Sequence, residues 1–238
     1  MSFFYLLLVT SLFLYRADAG TLSDPEPLTV DSLMERHARA MGGTKAWLRL
    51  KSWVITQQRT NGTVIAYAKK PDKFRLDFQL SGRTVTKSYD GKTGWLVVNG
   101  TYEAMRPGEA IEMAEEPDFY GELIYAYQRR DAMQVLPSEQ LNGHWCYRLE
   151  LTKSPTDKQW YWLNAETYLI EQTAEYSEDP AHDGILYKTI FEDYRAVDGL
   201  MFPRREGLIA NDQAPRMWTL DDIQLHRRIP NKFFRYRP

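Results

Sequence analysis

The chain has 238 residues, and its 30 Lys and Arg against 32 Asp and Glu give a formal net charge of −2. That balance argues against nucleic acid as a partner, because nucleic-acid binders carry a basic face and a high pI. Seven Trp, fifteen Tyr and ten Phe are an unusual load of aromatics, and since such side chains favour pleated surfaces the composition predicts a mainly β protein.

The first element reads as an export signal. Residues 3–15 are an almost unbroken apolar run, and Ala17-Asp18-Ala19 has the small-x-small form that signal peptidase cleaves. The expectation is a signal peptide over 1–19, cleavage after Ala19, and a periplasmic domain over 20–238. The segment before the run has no Lys or Arg, which leaves a retained N-terminal anchor as the alternative. The run is nevertheless shorter than the roughly 20 residues that cross a bilayer. No Cys follows the signal, so no lipidated N terminus is expected. The single Cys146 sits in the alternating stretch Trp145-Cys146-Tyr147-Arg148-Leu149 and reads as a buried, inert thiol.

After a polar lead-in, Val30, Leu33, Met34, Ala38 and Met41 recur at helical spacing, with Ser32 and Glu35 as a capping box and Gly42-Gly43 as the stop. His37 falls on the apolar side, where it packs. A short turn over 45–50 follows, and from Trp53 the period becomes two. Segments 53–59 and 63–69 flank Asn61-Gly62, a strong hairpin signal. Phe74, Leu76, Phe78 and Leu80 alternate with Lys73, Arg75, Asp77 and Gln79, and 83–89 and 95–99 continue the meander. Over 107–130 the strand period is lost. Two helices interrupted at Pro117 are expected there, with Glu109, Glu112, Glu115 and Glu116 as a solvated face. Strands resume at Gln134 and run through 145–151, 159–163, 168–176, 185–194, 204–210 and 218–225. The sum is about 10–12 strands in one antiparallel sheet. The tail after Ile229, with Phe233, Phe234, Arg235, Tyr236 and Arg237, either touches a membrane surface or lies along the sheet.

The residue demands of enzymes go unmet. There is no Gly-x-Ser-x-Gly and no phosphate or dinucleotide loop, and His37, His144, His182 and His226 are scattered without metal-ligand spacing. The expectation is a non-enzymatic protein with no catalytic residue, no metal and no cofactor. Residues 177–184 offer several oxygen ligands, but their spacing does not match a calcium loop, and a long hairpin connection is the better account of them.

The order of parts resembles a known family. The signal, first helix, Gly42-Gly43, hairpins and acidic helical insert, then Trp160 to Ile170 and Phe191-x-x-Tyr194-x-x-Val197-Asp198-Gly199-x-x-Phe202-Pro203, are similar to the LolA/LolB-like superfamily of outer-membrane lipoprotein-sorting proteins. Lys69-Lys70-Pro71-Asp72-Lys73-Phe74 resembles the basic-Pro hairpin of the carrier, with Lys70 where the carrier has Arg, and Asp90-Gly91-Lys92-Thr93-x-Trp95 resembles the turn opening its next strand. Lysine lacks the planar fork of arginine, so the carrier's lid latch does not transfer directly.

The resemblance implies a mainly β (α+β) fold: a curved antiparallel sheet forming an incomplete β-barrel, covered on its open side by helices around an apolar cavity. It implies a carrier or chaperone with acyl chains of lipoproteins or lipids as ligand, an envelope membrane protein as a possible partner, and a monomer. Phe74, Leu76, Phe78, Trp95, Val97, Trp160 and Trp162 are the candidate cavity residues, with ordinary core as the competing reading of each, and Lys70 is the rim cation. A lipid- or protein-sensing regulatory module and a structural subunit of an envelope complex are the alternatives on the same fold.

Overall fold

The computed structural model describes residues 24–236, apart from 156, 178–183 and 212. The expected signal peptide, its cleavage site, most of the 177–184 loop and His182 lie outside the described residues.

The first helix, α1 (Val30–Ala40), buries Leu33, Met34, His37 and Ala38 on one face. Its cap is not the expected Ser32. Thr29 takes that place, its hydroxyl accepting the Ser32 N–H at 3.2 Å, because a cap must precede the first helical residue. At the other end Gly42 has φ +99°, and a Cβ there would drive into the Gly199 carbonyl oxygen. Glycine is therefore required twice over, for conformation and for close approach. A second helix, α2 (Thr44–Arg49), carries the buried Trp47.

Six strands then form a meander: β1 (Ser52–Arg59), β2 (Gly62–Lys69), β3 (Lys73–Leu80), β4 (Arg83–Tyr89), β5 (Gly94–Val98) and β6 (Thr101–Ala104). The insert consists of α3 (Pro107–Glu115), a 3-10 segment (Glu116–Gly121) and α4 (Glu122–Arg129), broken at Pro117 as expected. A second meander follows, β7 (Ala132–Leu141), β8 (His144–Thr152), β9 (Lys158–Asn164), β10 (Ile170–Tyr176) and β11 (Leu186–Glu192). After it come a small ribbon, β12 (Arg195–Val197) with β13 (Leu200–Phe202), and then β14 (Arg205–Ala210) and β15 (Arg216–Leu225).

The described strands do not form an incomplete barrel. Thirteen of them make one open antiparallel sheet in the order β6-β5-β4-β3-β2-β1-β15-β14-β11-β10-β9-β8-β7, neither closed nor strongly curled, with β6 and β7 as its two edge strands. β12 and β13 stand outside it as a separate pair. The expectation of 10–12 strands in one curved sheet fails for a physical reason. Alternation fixes which face a side chain takes, whereas curvature comes from twist and bulges that the hydrophobic pattern does not encode. The edges are blunted in other ways: β6 is only four residues long, and β7 contains Pro137 within a register shift between Leu136 and Glu139.

The two meanders join through β1 and β15, where Trp53 faces Leu225 and Ile55 faces Ile223. On the inner face, Trp53, Ile55, Ala66, Ala68, Phe74, Leu220, Ile223 and Leu225 pack with Met41, Trp47, Tyr120 and Ile124 from the helices. Further along the same face, Tyr147, Leu149, Leu151, Tyr161, Leu163 and Phe191 pack with Leu33, Met34 and Leu123. No helix among the described residues is long and apolar enough to cross a membrane.

Candidate ligand site under the helical cover

The insert lies on the inner face as a cover. Its α3 crosses β3, β4 and β5, and the 3-10 segment rests on β2 and β3. Apolar contacts fill the middle: the Trp53 ring meets Phe74 at 5.8 Å and Tyr120 at 5.5 Å, Tyr120 meets Phe202 at 5.3 Å, and Phe119 meets Phe191 at 5.9 Å. Two indole and phenol groups tie the cover to backbone, Trp53 Nε1 donating to Pro117 O at 3.3 Å and Tyr125 Oη to Trp47 O at 2.8 Å.

At the rim the attachment is ionic. Lys70, in the β2–β3 turn, reaches Asp118 at 2.7 Å and lies 3.1 Å from the centre of the Tyr125 ring. Lys87 of β4 meets Glu109 of α3 at 3.0 Å. Lys153, between β8 and β9, meets Glu115 at 3.1 Å and Glu122 at 2.9 Å, while Tyr161 Oη donates to Glu122 at 2.6 Å. Of the four acids expected to form a solvated face, Glu112 and Glu115 are exposed, while Glu109 and Glu115 meet Lys87 and Lys153; Asp118 and Glu122 complete the lysine contacts of the insert. Burial lowers the Lys70 pKa by more than Asp118 raises it. Burial acts the same way on Lys153, but there Glu122 and Glu115 win and hold the ammonium above the usual lysine range.

Beneath and beside the cover the groups are less comfortable. Burial, with Glu175, Glu206, Glu122 and Glu112 nearby, pushes the half-buried Glu116 carboxyl up to about 8. Burial also pushes Glu206 up to about 7, against contacts with Tyr120 and Trp218 and the charge of Arg59. One Glu206 oxygen accepts from Trp218 Nε1 at 2.9 Å; the other, and the Nε of Arg59, are buried without a hydrogen-bond partner. Unsatisfied buried polar atoms carry a free-energy penalty, so this middle region of the inner face is the least well sealed.

Behind Phe119 is a void of about 20 Å³, bordered by Tyr120, Tyr161, Phe191 and Tyr194. That is room for about one water and for no acyl chain. It adjoins an open groove of about 450 Å³ lined by Glu112, Glu116, Glu175, Tyr187, Leu208 and Arg216, and Phe119, Glu122 and Gln159 border both. Neither the groove nor the void is lined by Phe74, Leu76 or Phe78.

The seven candidate cavity residues are not one surface. Phe74, Leu76 and Phe78 lie on the inner face, Phe74 buried and the other two half-buried. Pairing Arg75 with Ser88 and Ser88 with Trp95 puts Trp95 on the outer face, and Val97 follows it two residues on. Trp160 and Trp162 stand opposite Glu150 and Arg148, on the outer side away from Tyr161. Trp162 packs there with Cys146 and Ala174. Burial pushes the Cys146 thiol up to about 12, consistent with an inert side chain. Lys70 is at the rim, but its ammonium is engaged by Asp118. Sequence reasoning missed Asp118, Lys87, Lys153 and Glu122. The only signal for them was an acidic insert in a nearly neutral chain, which demands surplus base elsewhere without saying where. Among the described residues no group of three His, Cys, Asp or Glu is placed to hold a metal.

At the level of sequence, no family profile and no curated protein matches the chain. Solved structures do. A LolA superfamily protein from Nitrosomonas europaea superposes with a TM-score of 0.54 at 16% identity, over 88% of this chain and 99% of that one. The two folds are similar over nearly their whole length. A domain from Vibrio parahaemolyticus described as an outer membrane lipoprotein-sorting protein gives 0.52 at 16% identity, over 87% and 97%. A DUF1329 family protein from Desulfovibrio piger ATCC 29098 gives 0.55 at 12% identity, over 90% and 98%. At these identities the LolA-type likeness concerns the fold, and the site has to be argued from its own residues.

Proposed function

We propose that the protein is an exported, non-enzymatic carrier or chaperone of acylated molecules in the periplasm, acting in outer-membrane lipoprotein sorting, and that it holds an acyl chain between the helical cover and the inner-face residues Phe74, Leu76 and Phe78. The observation that carries this reading is the cover itself, apolar in its middle where it meets Phe74 through Trp53 and Tyr120, and ionic at its rim. The LolA-type fold supports it, since the Vibrio protein of the same fold is described as lipoprotein-sorting.

The magnitudes favour reversible opening. An acyl chain gains about 0.8 kcal/mol per buried CH₂, so eight methylenes supply about 6 kcal/mol. Rim pairs that remain partly wet contribute on the order of 0–1 kcal/mol each. Chain burial therefore exceeds the cost of releasing the rim, provided the ligand replaces the apolar contacts that the cover gives up.

Native mass spectrometry after gentle purification tests this reading, together with binding and displacement of an environment-sensitive acyl probe. Lipid-mass adducts and saturable probe binding are expected. Phe78→Glu should weaken probe binding at least tenfold, whereas Trp162→Glu, on the outer face, should leave the affinity of the folded protein unchanged. A ligand-free protein that takes no acyl probe overturns the carrier reading.

A further inference from the structure

The outer face carries a second feature, built by the end of the chain. The last twelve residues hold five cations, Arg227, Arg228, Lys232, Arg235 and Arg237, and no acid, so in a chain of net charge −2 everything before them sums to −7. From Ile229 the tail crosses the outer face of the first meander, and its backbone is fixed there. The Phe234 ring is fully buried, and its carbonyl accepts from Ser88 Oγ at 3.0 Å and Trp95 Nε1 at 2.8 Å. Arg75 Nη1 donates to Phe233 O at 3.1 Å, and Lys69 Nζ donates to Ile229 O at 2.8 Å and Asn231 Oδ1 at 2.7 Å.

With the backbone, Ile229 and Phe234 pinned and Phe233 packed against Tyr67 and Arg75, the polar side chains and Tyr236 face water. Lys232 and Arg235 are exposed, and so are Tyr236 at 38% and Tyr102 of β6 at 46%, their rings 4.3 Å apart. A groove of about 460 Å³ runs between tail and sheet, lined by Trp95, Val97, Phe233 and Tyr236 beside Lys232 and Arg235. Lys232 makes no ion pair among the described residues, and the acid facing Arg235, Asp90, is 3.8 Å away. Arg75 is spent on Asp77 at 2.9 Å and on the Phe233 ring.

We propose that this tail-bearing outer face docks the protein on an anionic phospholipid surface. Tyrosines beside lysine and arginine suit the boundary of a bilayer, where rings settle among headgroups while the cations meet phosphate. Charge complementarity argues for an anionic surface and fixes the orientation, because the net negative charge of the rest of the chain is repelled by it. The site is independent of the one under the cover and stands on the opposite side of the sheet.

The test is co-sedimentation of the full mature chain with vesicles of phosphatidylcholine alone and of phosphatidylcholine with 30–40% phosphatidylglycerol (about that range, so that each headgroup cation is worth roughly a fivefold change in partitioning). Binding to the anionic vesicles at low salt, fading as salt is raised, is expected. The double variant Lys232→Gln with Arg235→Gln removes two cations and should bind on the order of thirty-fold more weakly, with an unchanged urea midpoint because both side chains are exposed. Tyr236→Ala should weaken binding at every salt concentration. The proposal is overturned if anionic vesicles do not bind, if the double variant binds like the parent, or if the protein takes soluble polyglutamate but no vesicle, the last pointing to an acidic protein partner. Acyl-probe binding should be the same in the parent and the double variant, which separates failure here from failure of the carrier reading.

Discussion

The Lys70–Asp118 pair makes an asymmetric prediction. The Lys70 side chain is 15% exposed and that of Asp118 is 33%, so the pair lies between the surface case, worth about 0–1 kcal/mol, and the buried case, where loss of one partner costs about 3–5 kcal/mol. Asp118→Asn strands a cation that burial already disfavours, and about 2 kcal/mol is the expected cost. Lys70→Met removes the charge that had to be desolvated and, with it, the ammonium contact with the Tyr125 ring. It leaves Asp118 partly in water with Arg129 at 3.7 Å, so a cost below about 1 kcal/mol is expected. Urea unfolding measures the totals, and amide hydrogen exchange locates them. At tenfold per 1.4 kcal/mol, 2 kcal/mol speeds local opening roughly 30-fold, and the gain should fall in the 3-10 segment and α4 while β8 and β9 stay protected. A larger cost for Lys70→Met than for Asp118→Asn, or an exchange gain spread evenly over the sheet, refutes the reasoning.

Glu116 supplies a pH prediction: its folded pKa of about 8 is above the ordinary 4.5, so the stability it contributes is full below about pH 4.5 and is lost as pH rises towards 8. Glu116→Gln should flatten the urea midpoint over pH 5–8, leaving the smaller slope due to Glu206, which ends near pH 7. Gly42→Ala should cost about 2 kcal/mol or more in urea unfolding, since the new methyl meets backbone at Gly199 and φ is +99°. Intact mass of protein from the envelope fraction should correspond to residues 20–238, and a species retaining Met1 would mean an anchor.

Much of the local structure was legible because it is written in short-range chemistry. The 3–4 spacing of Leu33, Met34, His37 and Ala38 gave α1, Asn61-Gly62 gave the β1–β2 hairpin, and Pro117 marked the break in the insert. The weakest patterns were missed. β6 is exposed on both sides and has no apolar alternation, and β12 and β13 are three residues each, below the length at which a period can be read. Facing was harder than existence. Trp95 is separated from Phe74 by two strands and two turns, so its face depends on the register of both hairpins, and a shift of one residue in either would turn it over. The rim pairs were illegible for another reason, since Lys153 and Glu115 are brought together only by packing of the insert across the sheet.

Aromatic abundance, the most conspicuous property of the sequence, turns out to be a poor pointer to a ligand. Trp95 is committed to the tail carbonyl and Trp160 to Glu150 at 3.0 Å, both on the outer face, while Trp53 and Tyr120 hold the cover down on the inner one. The distribution of charge discriminates better. A cover meant only to seal a core would gain most from apolar contact throughout, because burying and pairing ions returns little net stability. Here the apolar contacts are in the middle, and the rim is fastened by lysine–carboxylate pairs that water can replace at small cost when they part. On the carrier reading proposed above, opening would also relieve the burial that raises the pKa values of Glu116 and Glu206, and an incoming chain that took over the apolar contacts would have only the rim to oppose it.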